Sequence, residues 1–92
     1  MTQVRSRTTA KFRAQFDSLP KAIQDKANDA YRLWSENPDH RSLRFKKIHS
    51  SLPIYSVRID LDWRAVGILN GDVVVWFWIG SHAEYERLLR SL

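Results

Sequence analysis

The side chains best suited to chemistry lie in the second half of the sequence. His82 falls at the first position of a predicted helix, where the positive end of the helix dipole disfavours protonation of imidazole. It is therefore predicted to be neutral near neutral pH and able to accept a proton. Arg58 and Arg64 fall inside predicted strands, where a guanidinium must reach solvent or find a partner because an unpaired buried charge is costly. Asp60 and Asp62 are the nearest candidates for such pairing.

A second group of residues suits the binding of nucleic acid. The basic residues Arg44, Lys46 and Lys47 precede the strands, and Trp76 and Trp78 lie within one of them. A groove with aromatic rings at its base and basic groups along it binds single strands, because bases stack on rings for about 1–3 kcal/mol each and guanidinium groups hold phosphates. The alternatives are that the basic residues form an ordinary solvated sheet edge and that both tryptophans are core residues beneath the last helix.

Two amphipathic helices are predicted in the first half. Phe12, Phe16 and Leu19 recur at spacings of four and three residues. A second series at helical spacing follows: Ile23, Ala27, Ala30 and Trp34. Pro20 fits the first position of the second helix, and the segment 37–39 ends it.

The second half changes to the two-residue period of strands. Apolar and polar residues alternate in one run, Tyr55, Val57 and Ile59 against Ser56, Arg58 and Asp60. Asn70-Gly71, between two runs rich in β-branched and aromatic residues, predicts a tight turn because both central positions of a type I′ turn need positive φ. Strands 63–69 and 73–79 are therefore predicted to be antiparallel neighbours.

That turn would also decide which residues share a face of the sheet. One face would carry the pairs Gly67/Val74, Ala65/Trp76 and Trp63/Trp78, and the other Val66, Ile68, Val73, Val75 and Phe77. The second set is uniformly apolar and is expected to meet the helices, whereas the first leaves a shallow groove beside its tryptophans. With a tight Leu61-Asp62 turn Arg58 would join the groove and Arg64 would point to the apolar face, unless a bulge or one more turn residue near Trp63 returned it.

The chain ends in another predicted helix. Ser81-His82-Ala83-Glu84 is a capping box, and Tyr85 follows it directly. Helices followed by consecutive strands predict an α+β fold, a small antiparallel β-sheet with two N-terminal helices on one face and a short C-terminal helix. Residues 1–92 are expected to form one domain, since this length supports one modest core. Whether the segment 3–6 adds a strand is left open.

The composition limits the classes of function. A formal charge of +5 and a pI near 10.0 are typical of proteins that meet polyanions. Cys is absent, and the histidines at 40, 49 and 82 lack metal-ligand spacing, so neither a metal nor another cofactor is expected. No apolar run is long enough to span a membrane, and the first residues lack a secretion signal, which predicts a cytoplasmic protein.

Four pieces of sequence stand in order after the two predicted helices. They are Leu43-Arg44-Phe45-Lys46-Lys47, Tyr55-Ser56-Val57-Arg58-Ile59, Asp62-Trp63-Arg64-Ala65-Val66 and Trp78-Ile79-Gly80-Ser81-His82-Ala83-Glu84-Tyr85. This series resembles the RelE/ParE toxin superfamily over nearly the whole chain, and the Ile-Gly-Ser-His ending followed by Tyr is its most specific piece. The resemblance implies a small antiparallel sheet flanked by helices, in agreement with the fold predicted from the residues.

The resemblance also implies a function. The RelE, YoeB and YafQ toxins, which have a similar ending, cleave mRNA in the A site of the 30S ribosomal subunit without a metal, whereas the ParE branch poisons DNA gyrase. The chain is therefore interpreted as the toxin of a type II toxin-antitoxin system, a ribosome-dependent mRNA endoribonuclease that inhibits translation. A gyrase inhibitor that acts by protein binding and a non-catalytic RNA-binding relative are the alternatives. The expected partners are mRNA on the ribosome and an acidic antitoxin protein that folds on contact.

The resemblance assigns roles to particular positions. Arg64 matches the family's strand arginine, and His82 matches the histidine of its Gly-Ser-His ending. Lys46 and Lys47 match phosphate-binding lysines, and Tyr85 matches a C-terminal tyrosine. Asp62 matches an aspartate of one branch of the family. That branch has a second histidine at the position that Arg58 occupies here. For attack of a ribose 2′-hydroxyl on the neighbouring phosphate, a base, positive charge and an acid are needed. The implied candidates are His82 as base, Arg64 and Arg58 as the positive charge, and Tyr85 or a lysine as acid.

Overall fold

The computed structural model describes residues 5–92 of the chain. In chain order its elements are β1 (Arg5–Thr8), α1 (Ala10–Asp17), α2 (Lys21–Glu36), a 3-10 turn (Arg41–Leu43), β2 (Lys46–Lys47), β3 (Ile54–Asp60), β4 (Trp63–Asn70), β5 (Val73–Ser81) and α3 (His82–Ser91). Within this range, three α-helices and one sheet give the α+β class that the sequence predicts. In the segment 3–6, Arg5 and Ser6 belong to β1, whereas the first two residues lie outside the described range.

The described strands form a single sheet in the order β1, β5, β4, β3, β2. The β5–β4, β4–β3 and β3–β2 pairs are antiparallel, but β1 runs parallel to β5 with Arg5 opposite Val73. The predicted antiparallel pairing is confirmed for β2 to β5, and β1, which the sequence left open, adds a parallel strand that makes the sheet mixed. The polar sequence of β1 carries no apolar alternation, so no local pattern indicated the strand or its direction.

The β4–β5 hairpin turns one residue later than predicted. Asn70 pairs with Val73, so that Gly71 and Asp72 form the loop. Gly71 has a φ of +65°, a conformation that glycine adopts without steric cost. The two predicted strands are antiparallel neighbours as expected, but every pair near the turn is shifted.

A β-bulge interrupts the same hairpin. Gly67 lies opposite Trp76 and Val66 lies opposite Trp78, which leaves Phe77 as an additional residue in β5. Because side chains alternate between the faces of a strand, one additional residue reverses the alternation beyond it. Trp76 and Trp78 therefore lie on opposite faces of the sheet, not on one.

The helices α1 and α2 cover one face of the sheet and enclose the main core. Thr9 caps α1 by accepting the N–H of Phe12, and Pro20 directly precedes α2. The buried residues of this face are Ala27, Trp34, Leu43, Val57, Ala65, Val74, Trp76 and Ile79. The predicted apolar stripe of α1 packs against them.

The helix α3 covers part of the other face. The predicted capping box is confirmed, because the Ser81 hydroxyl accepts the N–H of Glu84 and the Glu84 carboxylate accepts the N–H of Ser81. A smaller cluster lies beneath the helix: Ile54, Val66 and Tyr85, with Ile48, Ile68, Phe77, Trp78, Leu88 and Leu89 around it. The predicted faces were thus exchanged: the face expected to be an open groove packs against α1 and α2. Both faces of β4 and β5 are rich in apolar residues, so the pattern in these two strands did not show which face meets α1 and α2.

Candidate functional site

A bulge in β3 brings two arginines side by side. Arg58 lies directly opposite Arg64 in β4, and the register shifts between Arg58 and Asp60. Asp60 pairs with Trp63, so Leu61 and Asp62 form the two-residue turn that the sequence predicts. Residues directly opposite each other share a face, so both guanidinium groups belong to the face that α3 covers in part. The sequence analysis expected that a bulge near Trp63 would be needed to bring Arg64 to this face. The bulge is present, but it lies in β3, between Arg58 and Asp60.

Main-chain carbonyls, not carboxylates, hold Arg64. Its Nη1 donates to the carbonyl oxygens of Asp60 at 2.6 Å, Trp63 at 3.0 Å and Leu61 at 3.4 Å. Among residues 5–92 no carboxylate lies within ion-pairing distance of Arg64 or Arg58, so the predicted pairing with Asp60 or Asp62 was wrong. Burial, followed by the charge of Arg58, lowers the pKa of Arg64. A bound anion would relieve the repulsion between these two cations.

His82 stands at the first turn of α3, beside the β3–β4 turn. Its main-chain N–H donates to the carbonyl oxygen of Asp62 at 2.6 Å. Its side chain is 46% exposed, and Nε2 lies 3.5 Å from Oε1 of Glu86, one helical turn along. The imidazole can therefore reach a ligand from solvent, next to a carboxylate that the sequence prediction did not include.

Tyr85 lies beneath this surface. It is 6% exposed, its hydroxyl donates to the Ser56 hydroxyl at 3.2 Å, and its ring centroid lies 6.1 Å from that of His82. Ser56 is buried on the same face as Arg58, two residues along β3. Tyr85 therefore supports the site from below. Its hydroxyl proton is donated to Ser56, which argues against the predicted role of Tyr85 as the acid.

The lysines of β2 divide between the two faces. Lys46 lies opposite Ser56, and Lys47 lies opposite Tyr55. Both are exposed, but only Lys46 shares the face that carries Arg58. Arg44 is also exposed, adopts the left-handed conformation with a φ of 45°, and its charge contributes to the lowered pKa of Arg64, after burial and Arg58.

Most of the segment that contains these strands and helices matches a known protein family. A family model described as the ParE-like toxin domain matches residues 21–87. The chain belongs to this ParE-like toxin family. The predicted resemblance to the RelE/ParE superfamily is therefore confirmed.

Solved structures of toxins share the fold of this ParE-like domain. RelE in the RelB–RelE complex from Methanococcus jannaschii superposes with a TM-score of 0.71 at 14% identity, covering 89% of this chain and 96% of that one. YafQ from Escherichia coli BL21(DE3) gives 0.71 at 16% identity, with 90% and 98% covered. The RelBE2 complex from Mycobacterium tuberculosis gives 0.69 at 19% identity, with 88% and 100% covered. No curated protein matches the sequence significantly.

Trp76 and Trp78 do not form the predicted groove of this ParE-like domain. Trp76 is 4% exposed, and its ring meets that of Trp34 edge to face at 5.2 Å in the main core. It cannot stack on a base, so this part of the binding-site prediction was wrong. Trp78 is partly buried on the opposite face, with its ring 6.3 Å from that of Tyr85. It lies over Gly80, where a Cβ would come within 2.8 Å of the indole.

Sequence reasoning missed two contributions to this site. Asp62 takes part through its main-chain carbonyl, which His82 contacts, and its side chain is exposed. Asp60 accepts the N–H of Asp62 on Oδ1 and contacts Lys26 with Oδ2. The sequence did contain a signal for the bond between Asp60 and the Asp62 N–H, because Asp commonly forms turns by accepting the N–H two residues further on.

The described part of the chain has neither a membrane-spanning helix nor a cluster of metal ligands. Between residues 5 and 92 no helix has the length and apolarity to cross a bilayer. The same range contains no cluster of three or more His, Asp or Glu side chains that could hold a metal ion.

Proposed function

We propose that this chain is the toxin of a type II toxin-antitoxin system and cleaves mRNA in the A site of the 30S ribosomal subunit without a metal. The observation that carries the proposal is the Arg58–Arg64 pair, which has no carboxylate partner within residues 5–92 and whose Arg64 bonds to the same β3–β4 turn as the exposed His82. Two uncompensated cations favour a phosphate, and a nearby imidazole can move a proton. A phosphate-binding pair beside a proton-transferring group suits an enzyme that cleaves RNA better than a protein that inhibits its target only by binding.

In the proposed reaction the ribose 2′-hydroxyl attacks the adjacent phosphorus. His82 accepts the hydroxyl proton as the new P–O2′ bond forms. Arg58 and Arg64 bind the non-bridging oxygens, whose negative charge is greatest in the transition state. The P–O5′ bond then breaks, and the leaving 5′-oxygen takes up a proton. The products are a 2′,3′-cyclic phosphate and a free 5′-hydroxyl.

The proton for the leaving oxygen is assigned to Lys46. Tyr85 is buried and donates its hydroxyl proton to Ser56, so it serves the site as a support beneath His82 and Trp78. Lys46 is exposed on the face of the two arginines, across from Ser56. A flexible ammonium group there can approach the scissile phosphate without rearrangement of the sheet.

The proposed protein partner is an acidic antitoxin. The solved relatives include RelB–RelE and DinJ–YafQ toxin-antitoxin complexes. This chain carries a formal charge of +5, and long-range attraction to an acidic chain accelerates association. An antitoxin segment over the face of Arg58 and Arg64 would exclude RNA.

The experiment is cleavage of a defined mRNA on purified ribosomes, with 5′-end mapping and analysis of the new 3′ ends. We expect cuts within the codon in the A site, a 2′,3′-cyclic phosphate on the upstream fragment, and no inhibition by EDTA at concentrations that leave ribosomes intact. Intact mRNA in the presence of a folded toxin would refute the proposal.

A second candidate function is inhibition of DNA gyrase by contact, because the matching family model is described as ParE-like. Such an inhibitor needs no proton-transferring histidine. A His82→Ala variant that still arrests growth, with intact mRNA and inhibited supercoiling, would favour this function.

A further inference from the structure

The turn between β3 and β4 supports two residues of the proposed site at once. Its carbonyl oxygens at Asp60 and Trp63 accept hydrogen bonds from the Arg64 side chain. Its carbonyl at Asp62 accepts the main-chain N–H of His82, the first residue of α3. Arg64 and His82 come from different elements, so their relative position depends on the shape of this turn.

One carboxylate closes the turn. Oδ1 of Asp60 accepts the N–H of Asp62 at 2.9 Å, and Oδ2 lies 3.1 Å from Nζ of Lys26 on α2. The Asp60 side chain is 24% exposed. Burial by itself raises the pKa of Asp60, but the hydrogen bonds from Asp62 and Lys26 outweigh it, so the pKa is lowered. Asp60 is thus held as the anion, the form that accepts the turn's hydrogen bond most strongly.

We infer that Asp60 is a positioning residue, which fixes Arg64 relative to His82 by closing the β3–β4 turn. Its carboxylate contacts Asp62 and Lys26, so it acts through the main chain of the turn. The catalytic consequence rests on the proposed function, whereas the structural consequence does not. A misplacement of about 1 Å between catalytic groups can cost on the order of 100-fold in rate.

The test compares three substitutions with the parent. Asp60→Ala removes the acceptor for the Asp62 N–H, Asp60→Asn keeps a side-chain oxygen as acceptor without the charge, and Lys26→Met removes only the ion pair. Asp25→Ala is the matched control, because it removes a carboxylate from an exposed ion pair with Lys21 on α2. For each protein we would measure kcat and KM for mRNA cleavage, the melting temperature, and hydrogen exchange of the His82 amide by NMR.

We expect Asp60→Ala to lower kcat by about 10- to 100-fold with little change in KM, and to accelerate exchange of the His82 amide. Asp60→Asn should restore most of the rate and of the amide protection, and Lys26→Met and Asp25→Ala should resemble the parent. Parental kcat and parental exchange in Asp60→Ala would overturn the inference. Equal losses in all of the Asp60 and Lys26 variants would also overturn it, since the ion pair would then be the important contact.

The amide measurement separates this inference from the proposed function. If the parent cleaves no mRNA but Asp60→Ala exposes the His82 amide, the positioning role stands and the endoribonuclease proposal fails. If the parent cleaves mRNA and Asp60→Ala changes neither kcat nor exchange, the proposed function stands and the positioning role fails.

Discussion

The two faces of the sheet contain different kinds of side chain. The face beneath α1 and α2 is apolar throughout its buried part, with Trp34 and Trp76 at its centre. The face beneath α3 has a smaller apolar cluster, and Arg58, Arg64 and a buried serine lie beside it. Unpaired charges cost stability, and a core on the opposite face can offset that cost. The division lets one small domain combine a stable core with a cationic surface.

The largest effect expected on the α3 face is on chemistry at His82. His82→Gln keeps a polar side chain but cannot exchange a proton, so mRNA cleavage should fall by about 100- to 10,000-fold. The melting temperature should not change, because the side chain is 46% exposed and the cap is supplied by Ser81 and Glu84. Single-turnover cleavage and thermal unfolding would be measured together. Parental cleavage by a normally folded variant would remove His82 from the mechanism.

The opposite face should show the reverse behaviour. Trp76→Ala should lower the free energy of unfolding by about 3–5 kcal/mol, because it empties a large volume in the main core. Trp78→Ala is the matched control on the α3 face, where the residue is only partly buried, and should cost less stability. Urea unfolding monitored by circular dichroism would compare them. Equal losses from both variants would mean that the two faces contribute alike to stability.

Arg64 should show the importance of guanidinium geometry. Arg64→Lys keeps the charge but loses the planar fork and the fixed hydrogen bonds to Asp60 and Trp63. Cleavage should fall by roughly 10- to 100-fold, less than for loss of the base, while binding of RNA changes little. Parallel measurements of kcat and of the dissociation constant for ribosome-bound mRNA would separate the two. An effect confined to binding would contradict a role in the transition state.

The β2 lysines test the division within one short strand. Lys46→Ala should reduce the slope of log affinity for RNA against log salt by about 0.7–0.9, the contribution of one phosphate contact. Lys47→Ala should leave the slope unchanged, because Lys47 lies on the face of Tyr55. Binding titrations at several salt concentrations would measure both. Identical slopes for the two variants would show that the face on which a β2 lysine lies does not decide whether it contacts a phosphate.

The smallest effect concerns the cap of α3. Hydrogen bonds from the Ser81 backbone and hydroxyl lower the pKa of Glu84 below its ordinary value of 4.5. The ionised form therefore contributes stability above about pH 4.5, and this contribution is lost as the pH falls through the lower pKa of the folded state. Glu84→Gln should melt slightly below the parent at pH 7, and the difference should vanish at strongly acidic pH. A difference that stays constant with pH would exclude this carboxylate as the cause.

The sequence predicted those parts of the fold that local patterns encode. Helical spacing indicated α1 and α2, and the capping box indicated the start of α3 and hence the position of His82. These features depend on residues within one or two turns of each other. The same locality made the presence of the β4–β5 hairpin predictable from Asn70-Gly71, even though its loop lies one residue later than predicted and Gly67 pairs two positions further along β5.

The facing of strand residues could not be predicted in the same way. It depends on whether Phe77 and Ile59 are additional residues in bulges, and packing of the whole sheet decides that. The facing of Trp78 was predicted wrongly for this reason, whereas the face of Trp76 was taken for the open one because both faces of β4 and β5 are rich in apolar residues. Alternation of residues alone would have put Arg64 on the face opposite Arg58, and the bulge that returns it lies at Ile59. Asp60 also contacts Lys26 on α2, and no local pattern indicates a contact between such distant parts of the chain.

The parallel pairing of β1 with β5 makes folding depend on contacts between the two halves of the chain. Arg5 to Thr8 pair with Val73 to Trp76, so no complete sheet can form until both segments are available. Closing so long a loop costs entropy before the pairing returns any stability, and proteins dominated by distant contacts fold slowly. During synthesis, α1 and α2 leave the ribosome well before the strands against which they pack. We therefore expect the nascent chain to lack its folded core until residue 81 has emerged.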